Sequence, residues 1–366
     1  MKKPQSKPIR VVQIIDSLEA GGGERMAVNL ANAFSEKIDC SAIMVTRKEG
    51  LLKSEVSEKV AYAFVDKTRA IDPKALGIAL KFIKIHKISH LHAHSTSFFF
   101  ATLLKLLRPR LKLVWHDHYG ESEHLDQRPI AILKLASLFF NAIISVNEKL
   151  KKWALNELFC ENVNYIKNFS RLIKKSSSSS SSSLNKENIE YHLIQVANIR
   201  PQKNHEIAIE ALAKLNQHFS VKLHLLGQYN KDDGYYQSLL KLIKQFHLES
   251  NIEFYGSVEN VQVYLSQADI AILSSRSEGL PLSLIEYAMA EKPIIVTDVG
   301  QCQAVVGDFA KVVPKANAKA LADAMVYYLT HQDQAQQDAN QLYKKVTKEY
   351  GAEAITDDIL TLYKRL

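Results

Sequence analysis

Short apolar runs alternate along this chain with longer amphipathic segments, a pattern typical of parallel sheets covered by helices on both faces. The first part of the chain predicts strands at 9–15, 41–46, 89–93, 111–115 and 142–146, with helices at 23–34, 73–87, 97–107 and 128–140. A second alternation predicts strands at 191–196, 221–226, 252–255, 268–273 and 293–296, with helices at 204–217 and 234–247. We therefore predict an α/β protein of two Rossmann-like, doubly wound domains.

The length of 366 residues also favours two domains, because it exceeds what one hydrophobic core usually serves. We place the N-terminal domain at 1–168 and the C-terminal domain at 191–345. Between them, 169–190 is a predicted linker that contains eight consecutive serines, Ser176 to Ser183, and cannot bury apolar surface. A final helix is predicted at 346–366 from its apolar periodicity.

The segment from Ser277 to Glu286 is the first candidate for chemistry, because Glu278 and Glu286 bracket a Gly-Leu-Pro turn between a strand and a helix. Pro281 fits the first helical position, where its missing N–H costs nothing. Ligands of such sheets bind outside the carboxyl ends of the strands, near helix N-termini. The two carboxylates would suit hydroxyls on two rings of one ligand, with backbone amides facing an anion between them. Two ordinary surface charges are the alternative.

Two further turns are candidates for phosphate contacts. Gly22 and Gly23 belong to a glycine triplet that follows the first strand and opens the first helix, where a backbone can approach a phosphate. The triplet lacks the spacing of a dinucleotide-binding or P-loop fingerprint, so a plain turn is the alternative. Arg200 and Lys203 follow the first strand of the second domain and would neutralise a diphosphate, unless they are surface charges.

Histidines end two strands of the first domain. His116 and His118 follow the strand at 111–115, so we expect both to lie at the sheet edge and face the cleft. His92 and His94 end the preceding strand, and no Cys or carboxylate accompanies them at ligand spacing. We therefore interpret this second pair as scaffolding of the cleft and not as zinc ligands.

These motifs together resemble the retaining family 4 glycosyltransferases of the GT-B fold. Glu-Gly-Leu-Pro, the spacing of Glu278 and Glu286, and Leu-Ile-Glu-Tyr-Ala-Met-Ala are similar to the family's E-x7-E motif, and Gly-Gly-x-Glu-Arg is similar to its N-terminal motif. The resemblance implies that Glu278 contacts the transferred sugar and Glu286 the ribose. It also implies that Gly22 and Gly23 line the donor phosphates and the acceptor cleft.

The same resemblance assigns the remaining site residues. Lys203 matches the lysine of the family's Gly-Arg-x-x-x-x-Lys pattern, whereas Asn198 stands at the arginine position and Arg200 is its substitute two residues later. His116 matches a family histidine that contacts the sugar, with His118 as the second choice. The donor's backbone contacts are expected at Gly279, Leu280 and Pro281, and those of the nucleobase at Val258. In this family a C-terminal helix crosses back onto the first domain.

The implied reaction moves a hexose or N-acetylhexosamine from a nucleoside diphosphate sugar to an acceptor hydroxyl and retains the anomeric configuration. UDP-sugars are the favoured donors and GDP-mannose the next. No Asp-x-Asp pair occurs in the sequence, so we expect no metal and no cofactor. Cations and helix N-termini would instead stabilise the negative charge that develops on the leaving group.

Charge is distributed unevenly. The net charge is +8, with 26 Lys/Arg against 17 Asp/Glu in residues 1–170 and 21 against 22 in the remainder. The basic first domain and the aromatic run Phe98 to Phe100 suggest a glycan or lipid-linked acceptor and peripheral contact with an anionic membrane. Lys81, Lys84 and Lys87 share one helix face, a pattern found in membrane-surface helices, although a solvated face is the more common explanation. No signal peptide is visible, so we expect a cytoplasmic protein in which the three cysteines stay reduced.

Other functions are compatible with parts of the sequence. A non-catalytic GT-B scaffold would explain Asn198, and also Phe169, where the family often has glycine. A nucleic-acid binder would explain the basic half but not the paired carboxylates, so no nucleic-acid partner is expected. An epimerase or a phosphorylase is compatible with the fold, but the context of the two glutamates does not favour either.

Overall fold

The computed structural model describes residues 8–19, 21–120, 125–169, 184, 189–216 and 218–366. The chain divides into two compact units. Unit 1 comprises the described residues up to Phe169 together with Ala352–Leu366, and unit 2 comprises those from Leu184 to Gly351. Phe169 is fully buried in unit 1, one residue beyond the predicted domain end. The serine run and most of the predicted linker lie outside the described residues.

Unit 1 contains a seven-stranded parallel sheet in the order β3-β2-β1-β4-β5-β6-β7. Its strands are β1 (Arg10–Ser17), β2 (Cys40–Lys48), β3 (Ala61–Phe64), β4 (His90–His94), β5 (Lys112–Asp117), β6 (Ala142–Ser145) and β7 (Val163–Tyr165). The order reverses between β1 and β4, which is where doubly wound sheets bind ligands. The two edge strands were not predicted, because β3 and β7 are short and only partly buried and so carry a weak apolar signal.

The helices of this part of the chain are α1 (Gly22–Phe34), α2 (Pro73–Ile85), α3 (Phe98–Leu107), α4 (Ala131–Ala136) and α5 (Glu148–Glu157). Asp72 caps α2 by accepting from the amide of Ala75, and Pro73 fills the first helical position. The single helix predicted at 128–140 was too long: α4 covers six residues, and a 3₁₀ turn follows to Phe139. Four large apolar side chains of this segment are exposed, namely Ile132, Leu135, Leu138 and Phe139.

Unit 2 contains a six-stranded parallel sheet in the order β10-β9-β8-β11-β12-β13, which reverses between β8 and β11. Its strands are β8 (Tyr191–Val196), β9 (Val221–Leu226), β10 (Ile252–Gly256), β11 (Ile270–Leu273), β12 (Ile294–Thr297) and β13 (Lys311–Val313). Its helices are α6 (His205–Leu215), α7 (Gly234–Gln245), α8 (Val261–Gln267), α9 (Leu282–Met289), α10 (Cys302–Val306), α11 (Ala318–Thr330) and α12 (Gln332–Glu349).

Pro281 is not the first residue of α9, contrary to the prediction from sequence. It is the residue before the helix, with an extended conformation (φ −73°, ψ 121°), and α9 begins at Leu282. The fixed φ of proline suits this position as well, and the Pro281 carbonyl accepts from the amide of Leu284 at 3.2 Å. The turn before α9 therefore ends at Pro281, one residue later than we predicted from the sequence.

The last helix, α13 (Ala352–Arg365), belongs to unit 1, whereas α12 belongs to unit 2. Residues 346–349, predicted to begin the final helix, are the end of α12. Lys37, just beyond α1, donates to the Thr356 hydroxyl and to the Asp357 carboxylate, each at 2.8 Å. The rings of Phe34 and Tyr363 lie 5.7 Å apart in the same interface. Among the described residues, none of the helices combines the length and the apolar character needed to span a membrane.

Candidate functional site

An ion pair joins the ends of the two strands at which the sheet of unit 2 reverses. The ammonium nitrogen of Lys203 lies 2.6 Å from Oε1 of Glu278, and the hydroxyl of Ser275 donates to the same oxygen at 2.6 Å. Glu278 is only 4% exposed. A cation and a hydroxyl thus hold a nearly buried carboxylate in one orientation, at the edge where ligands of this fold bind.

Backbone contacts hold the two loops that carry this pair. The Ser274 hydroxyl lies 3.1 Å from the Lys203 carbonyl and 3.0 Å from the Asn204 carbonyl. The amide of Arg276 donates to the Gln202 carbonyl at 2.8 Å. The loop after β8 is therefore fixed against the loop after β11, so Lys203 and Glu278 occupy defined positions in the fold.

The loop after β12 supports Glu278 from the other side. Gly300 has a φ of +55°, and a Cβ at this residue would lie 2.0 Å from the carbonyl oxygen of Glu278. The next amide, of Gln301, donates to the Gly279 carbonyl at 3.1 Å. Both the backbone conformation and the close approach require glycine at 300.

Glu286 and the turn before it complete the predicted donor site. Glu286 lies on α9 and is 6% exposed, and Leu280 is also buried, between Gly279 and Pro281. The adjacent Tyr287 is fully buried, and its hydroxyl accepts from the amide of Val196 at 2.6 Å. This bond fixes α9 to β8, so the two predicted carboxylates are carried by elements that contact the same strand.

The other predicted residues of unit 2 differ in their surroundings. Arg200 is exposed, whereas Asn198, at the arginine position of the resembled pattern, accepts from the amide of Gln228 at 2.9 Å. Asn198 thus ties the loops after β8 and β9 together. Val258 follows β10, two strands away from β8, and is half-buried. The structure therefore brings Lys203 and Glu278 together but places Val258 at the far side of the same sheet edge.

In unit 1, the glycine loop lies beside a histidine at the reversal of the sheet. Helix α1 begins at Gly22, and a Cβ on Gly23 would lie 3.1 Å from Ser95 Oγ and 3.6 Å from Cδ2 of His118. Glycine at 23 therefore allows the start of α1 to approach this ring closely. Nη1 of Arg25 lies 2.7 Å from Oε2 of Glu55, and this ion pair links α1 to the turn that follows β2.

The two histidines expected at the cleft have different environments. His118 is partly exposed next to Gly23, whereas His116 is fully buried. Nδ1 of His116 lies 3.1 Å from Nε2 of His92, and its Nε2 is buried without a hydrogen-bond partner among the described residues. The full burial of His116 contradicts the expectation that it faces the cleft, because it lies within β5, whereas His118 lies beyond the end of that strand and is partly exposed.

Together with His94, these residues form a cluster of four stacked imidazoles. Burial lowers the pKa of His92 to about 3, and desolvation within the stack lowers that of the partly exposed His118 to about 3 as well. Both rings are therefore neutral at ordinary pH. Ring nitrogens of His92, His94 and His116 lie within 4.8 Å of one another, a proximity that the sequence did not predict. The rings of His92 and His94 stack with an interplanar angle of 1°, however. Since imidazole lone pairs lie in the ring plane, these two nitrogens cannot converge on one ion without turning.

Two Rossmann-like units, one with an ordered lysine–carboxylate pair and the other with a glycine loop and a histidine, define a two-domain α/β protein of the GT-B class. Comparison with family models identifies the family. The model described as "Glycosyltransferase Family 4" matches residues 20–169, and that described as "Glycosyl transferases group 1" matches residues 176–348. Between them they cover most of the chain, which belongs to this family of glycosyltransferases.

Individual relatives support the same assignment. The O-antigen biosynthesis glycosyltransferase WbnH of Escherichia coli is 26% identical over 294 residues, which are 79% of this chain and 81% of the relative. An α-1,4-N-acetyl-D-galactosaminyltransferase of Campylobacter jejuni, named for a PP-undecaprenol-linked substrate, is 27% identical over 76% of both chains. The N-acetyl-α-D-glucosaminyl L-malate synthase of Bacillus anthracis is 27% identical over 173 residues, only 47% of this chain and 44% of its own length.

A solved structure extends the comparison to the whole fold. Anabaena HepE in complex with UDP and glucose superimposes with a TM-score of 0.78, over 98% of this chain and all of the HepE chain. The two sequences are 15% identical. At that identity the likeness shows the GT-B fold alone.

Proposed function

We propose that this protein transfers a hexose or N-acetylhexosamine from a nucleoside diphosphate sugar to an acceptor hydroxyl. UDP-sugars are the favoured donors and GDP-mannose the next, and the acceptor is a glycan or a lipid-linked glycan of surface polysaccharide biosynthesis. The observation that carries this proposal is the pair formed by Lys203 and Glu278 at the reversal of the unit 2 sheet. The relatives named for O-antigen and undecaprenol-linked substrates, and the UDP complex of HepE, support it.

Each group of the pair has a distinct role in this proposal. The Lys203 ammonium, assisted by exposed Arg200 and the first amides of α9, stabilises the negative charge on the departing diphosphate. Glu278 accepts hydrogen bonds from hydroxyls of the transferred sugar, and Glu286 accepts them from the ribose. These charges take the place of a divalent metal, so we propose a metal-independent transferase that needs no cofactor.

We also propose that transfer retains the anomeric configuration by a front-face route. The bond between the anomeric carbon and the diphosphate oxygen breaks, and the acceptor oxygen forms a bond to the same carbon on the same face. The proton of the acceptor hydroxyl passes to the departing diphosphate oxygen. The anomeric proton signals of the product, measured by NMR with an α-linked donor, test this: an α-linked product is expected, and a β-linked product would exclude retention.

The donor site is tested by thermal shift with UDP, GDP, ADP and CMP in the presence of EDTA. A ligand at a hundred times its dissociation constant adds about 2.7 kcal/mol to the free energy of unfolding. We expect a selective shift with UDP that Glu286→Ala abolishes, and Glu249→Gln, an exposed glutamate after α7, serves as the control. A shift that appears only with a divalent metal would contradict metal independence. No shift with any nucleotide would favour a non-catalytic scaffold.

We further propose that unit 1 contacts an anionic membrane, through a different surface from the predicted lysine face of α2. Ile132, Leu135 and Leu138 are 59–65% exposed on α4 and the turn after it. Phe159 adjoins them, with the Lys134 ammonium 5.4 Å from its ring centre, and is half exposed. Exposed apolar side chains beside cations are typical of surfaces that insert shallowly into anionic bilayers.

Co-sedimentation with phosphatidylglycerol vesicles tests this surface. We expect the protein to pellet with anionic vesicles, and the double variant Leu135→Asp/Leu138→Asp to remain in the supernatant. Leu240→Asp changes an exposed leucine of unit 2 and serves as the matched control, which should pellet like the unchanged protein. Equal sedimentation of all three proteins would exclude this surface as the membrane contact.

A further inference from the structure

We infer that Gln13 and His94 are positioning residues that hold His118 with its ring proton on Nε2, leaving Nδ1 free to accept a hydrogen bond from a substrate hydroxyl. This role belongs to the sugar transfer proposed above and depends on it. Gln13 lies on β1, His94 ends β4 and His118 follows β5, so three neighbouring strands bring these side chains together.

The chain of hydrogen bonds begins at a buried amide. Oε1 of Gln13 lies 2.8 Å from Nε2 of His94, and both side chains are fully buried. An amide oxygen can only accept, so Nε2 of His94 must carry the proton. Burial, and next the neighbouring His92 and His118, hold the pKa of His94 well below its usual range. The neutral ring has a single proton, and Nδ1 of His94 is therefore unprotonated.

The second link fixes the tautomer of His118. Nδ1 of His94 lies 2.9 Å from Nε2 of His118, and because this nitrogen of His94 can only accept, Nε2 of His118 must donate. His118 stacks on His94 and His116, and desolvation within this stack lowers its pKa to about 3 although part of the residue is exposed. This ring is therefore also neutral, and its one proton is already used. Nδ1 of His118 then carries a lone pair.

The free nitrogen is at the surface of unit 1. His118 is partly exposed beside Gly23 at the start of α1, and among the described residues no group hydrogen-bonds its Nδ1. An unprotonated imidazole nitrogen accepts from a hydroxyl but offers nothing to a phosphate oxygen, which is itself an acceptor. The tautomer therefore selects a sugar or acceptor hydroxyl at this position and disfavours an anion.

The neighbouring chain of hydrogen bonds does not end at an exposed ring nitrogen. It links the Tyr363 hydroxyl, His92 and His116, and ends at the buried Nε2 of His116. Of these two chains of hydrogen bonds, the one that starts at Gln13 ends on a partly exposed ring and the other does not. The two chains stack on each other, with the ring centres of His92 and His94 4.6 Å apart, so the inner one restricts the position of the outer one.

The tautomer can be measured directly on the full-length protein. Histidine labelled with ¹⁵N and ¹³C gives two-bond proton–nitrogen correlations that distinguish Nε2–H from Nδ1–H rings, and His118→Asn identifies the signals of His118. We expect His118 to be neutral and protonated on Nε2 at pH 7. A His118 ring protonated on Nδ1, or a charged ring, would overturn the inference without any reference to activity.

Two variants of Gln13 test the positioning role. Gln13→Met removes the acceptor at similar volume, whereas Gln13→Glu keeps an acceptor oxygen. We expect Gln13→Met to mix the two tautomers of His118 and to lower kcat/KM about tenfold, as expected for loss of one hydrogen bond. The thermal shift with UDP should be unchanged, because unit 2 is untouched. In Gln13→Glu the buried carboxylate favours a charged His94, whose Nδ1 then donates to Nε2 of His118. The proton of His118 should therefore move to Nδ1, and kcat/KM should fall as in Gln13→Met.

The outcomes separate this inference from the proposed function. If Gln13→Met keeps the tautomer and the activity of the unchanged protein, Gln13 has no positioning role. If Gln13→Met does not fold, the tautomer of His118 in the unchanged protein and in Gln13→Glu still tests whether Gln13 sets the protonation of His118. If His118 has the expected tautomer but neither nucleotide binding nor sugar transfer is found, the proposed function fails while the hydrogen-bond assignment stands.

Discussion

Lys203 and Glu278 are separated by 75 positions in the chain, yet their charged groups lie 2.6 Å apart. Lys203 is in the 3₁₀ turn after β8, and Glu278 is in the loop after β11. The two strands are neighbours at the reversal of the sheet, so the fold itself brings the pair together. An internal cation thus holds the carboxylate before any substrate binds.

Removing either member of the pair should abolish most of the transferase activity. We expect Lys203→Met and Glu278→Gln each to lower kcat by about 10²- to 10³-fold, the usual loss when one contact that stabilises developing charge is removed. Initial rates with a UDP-sugar and a glycan acceptor measure this. Lys214→Met, at an exposed lysine of α6, is the matched control. Retained turnover in either site variant would exclude the pair from the reaction.

Gly300→Ala should destabilise unit 2 and disturb the Glu278 loop. The left-handed backbone alone costs about 1–3 kcal/mol for other residues, and the new Cβ would also clash with the Glu278 carbonyl. Gly77→Ala is the control, because a Cβ there meets nothing within 4 Å on helix α2. That variant should gain roughly 0.5–1 kcal/mol. Thermal melts followed by circular dichroism measure both, and equal melting temperatures would contradict the structure.

Unit 1 should lose stability as the pH falls below about 6.5. The pKa of His92 is lowered to about 3 by burial, whereas the unfolded chain takes up this proton near 6.5. The unfolded state thus binds more protons between these values, and the free energy of unfolding falls as the pH is lowered through this window. Each such histidine contributes at most about 1.4 kcal/mol per pH unit.

Tryptophan fluorescence can follow this loss in unit 1 alone, since Trp115 and Trp153 are the two tryptophans of the sequence. Urea titrations at pH 7.5, 6 and 5 should give a steadily smaller free energy of unfolding. His92→Gln should flatten this dependence, and His86→Gln, at the half-exposed end of α2, should not. A free energy that is constant from pH 7.5 to 5 would show that the cluster is not buried as described.

Tyr287→Phe should loosen α9 from the sheet. The variant leaves the partly buried amide of Val196 without its partner at 2.6 Å, which costs about 1 kcal/mol. Amide hydrogen exchange should be faster at Val196, and the melting temperature should fall. Tyr327→Phe, at a partly exposed tyrosine of α11, is the control. Unchanged exchange at Val196 would mean that this hydrogen bond does not fix the helix.

The local parts of this architecture follow from the sequence. The strands at 191–196 and 221–226 agree with the structure at both ends, because each is a largely buried inner strand with apolar residues at most of its positions. The Glu-x7-Glu and Gly-Gly-x-Glu-Arg motifs were sufficient to identify the family, which the family models confirm. Edge strands such as β3 and β13 were missed. Consecutive residues of these short strands are partly exposed, so their sequences lack a clear alternation of apolar and polar positions.

The sequence by itself thus determined the order of strands and helices, the two domains and the kind of residue at each loop, because these depend on neighbouring positions. Only the tertiary structure decided which side chains meet and which are enclosed. It paired Lys203 with Glu278, enclosed His116 while leaving His118 at the surface, and exposed the apolar face of α4. Such outcomes depend on which strands pair and on what covers each face, and residues distant in sequence set both.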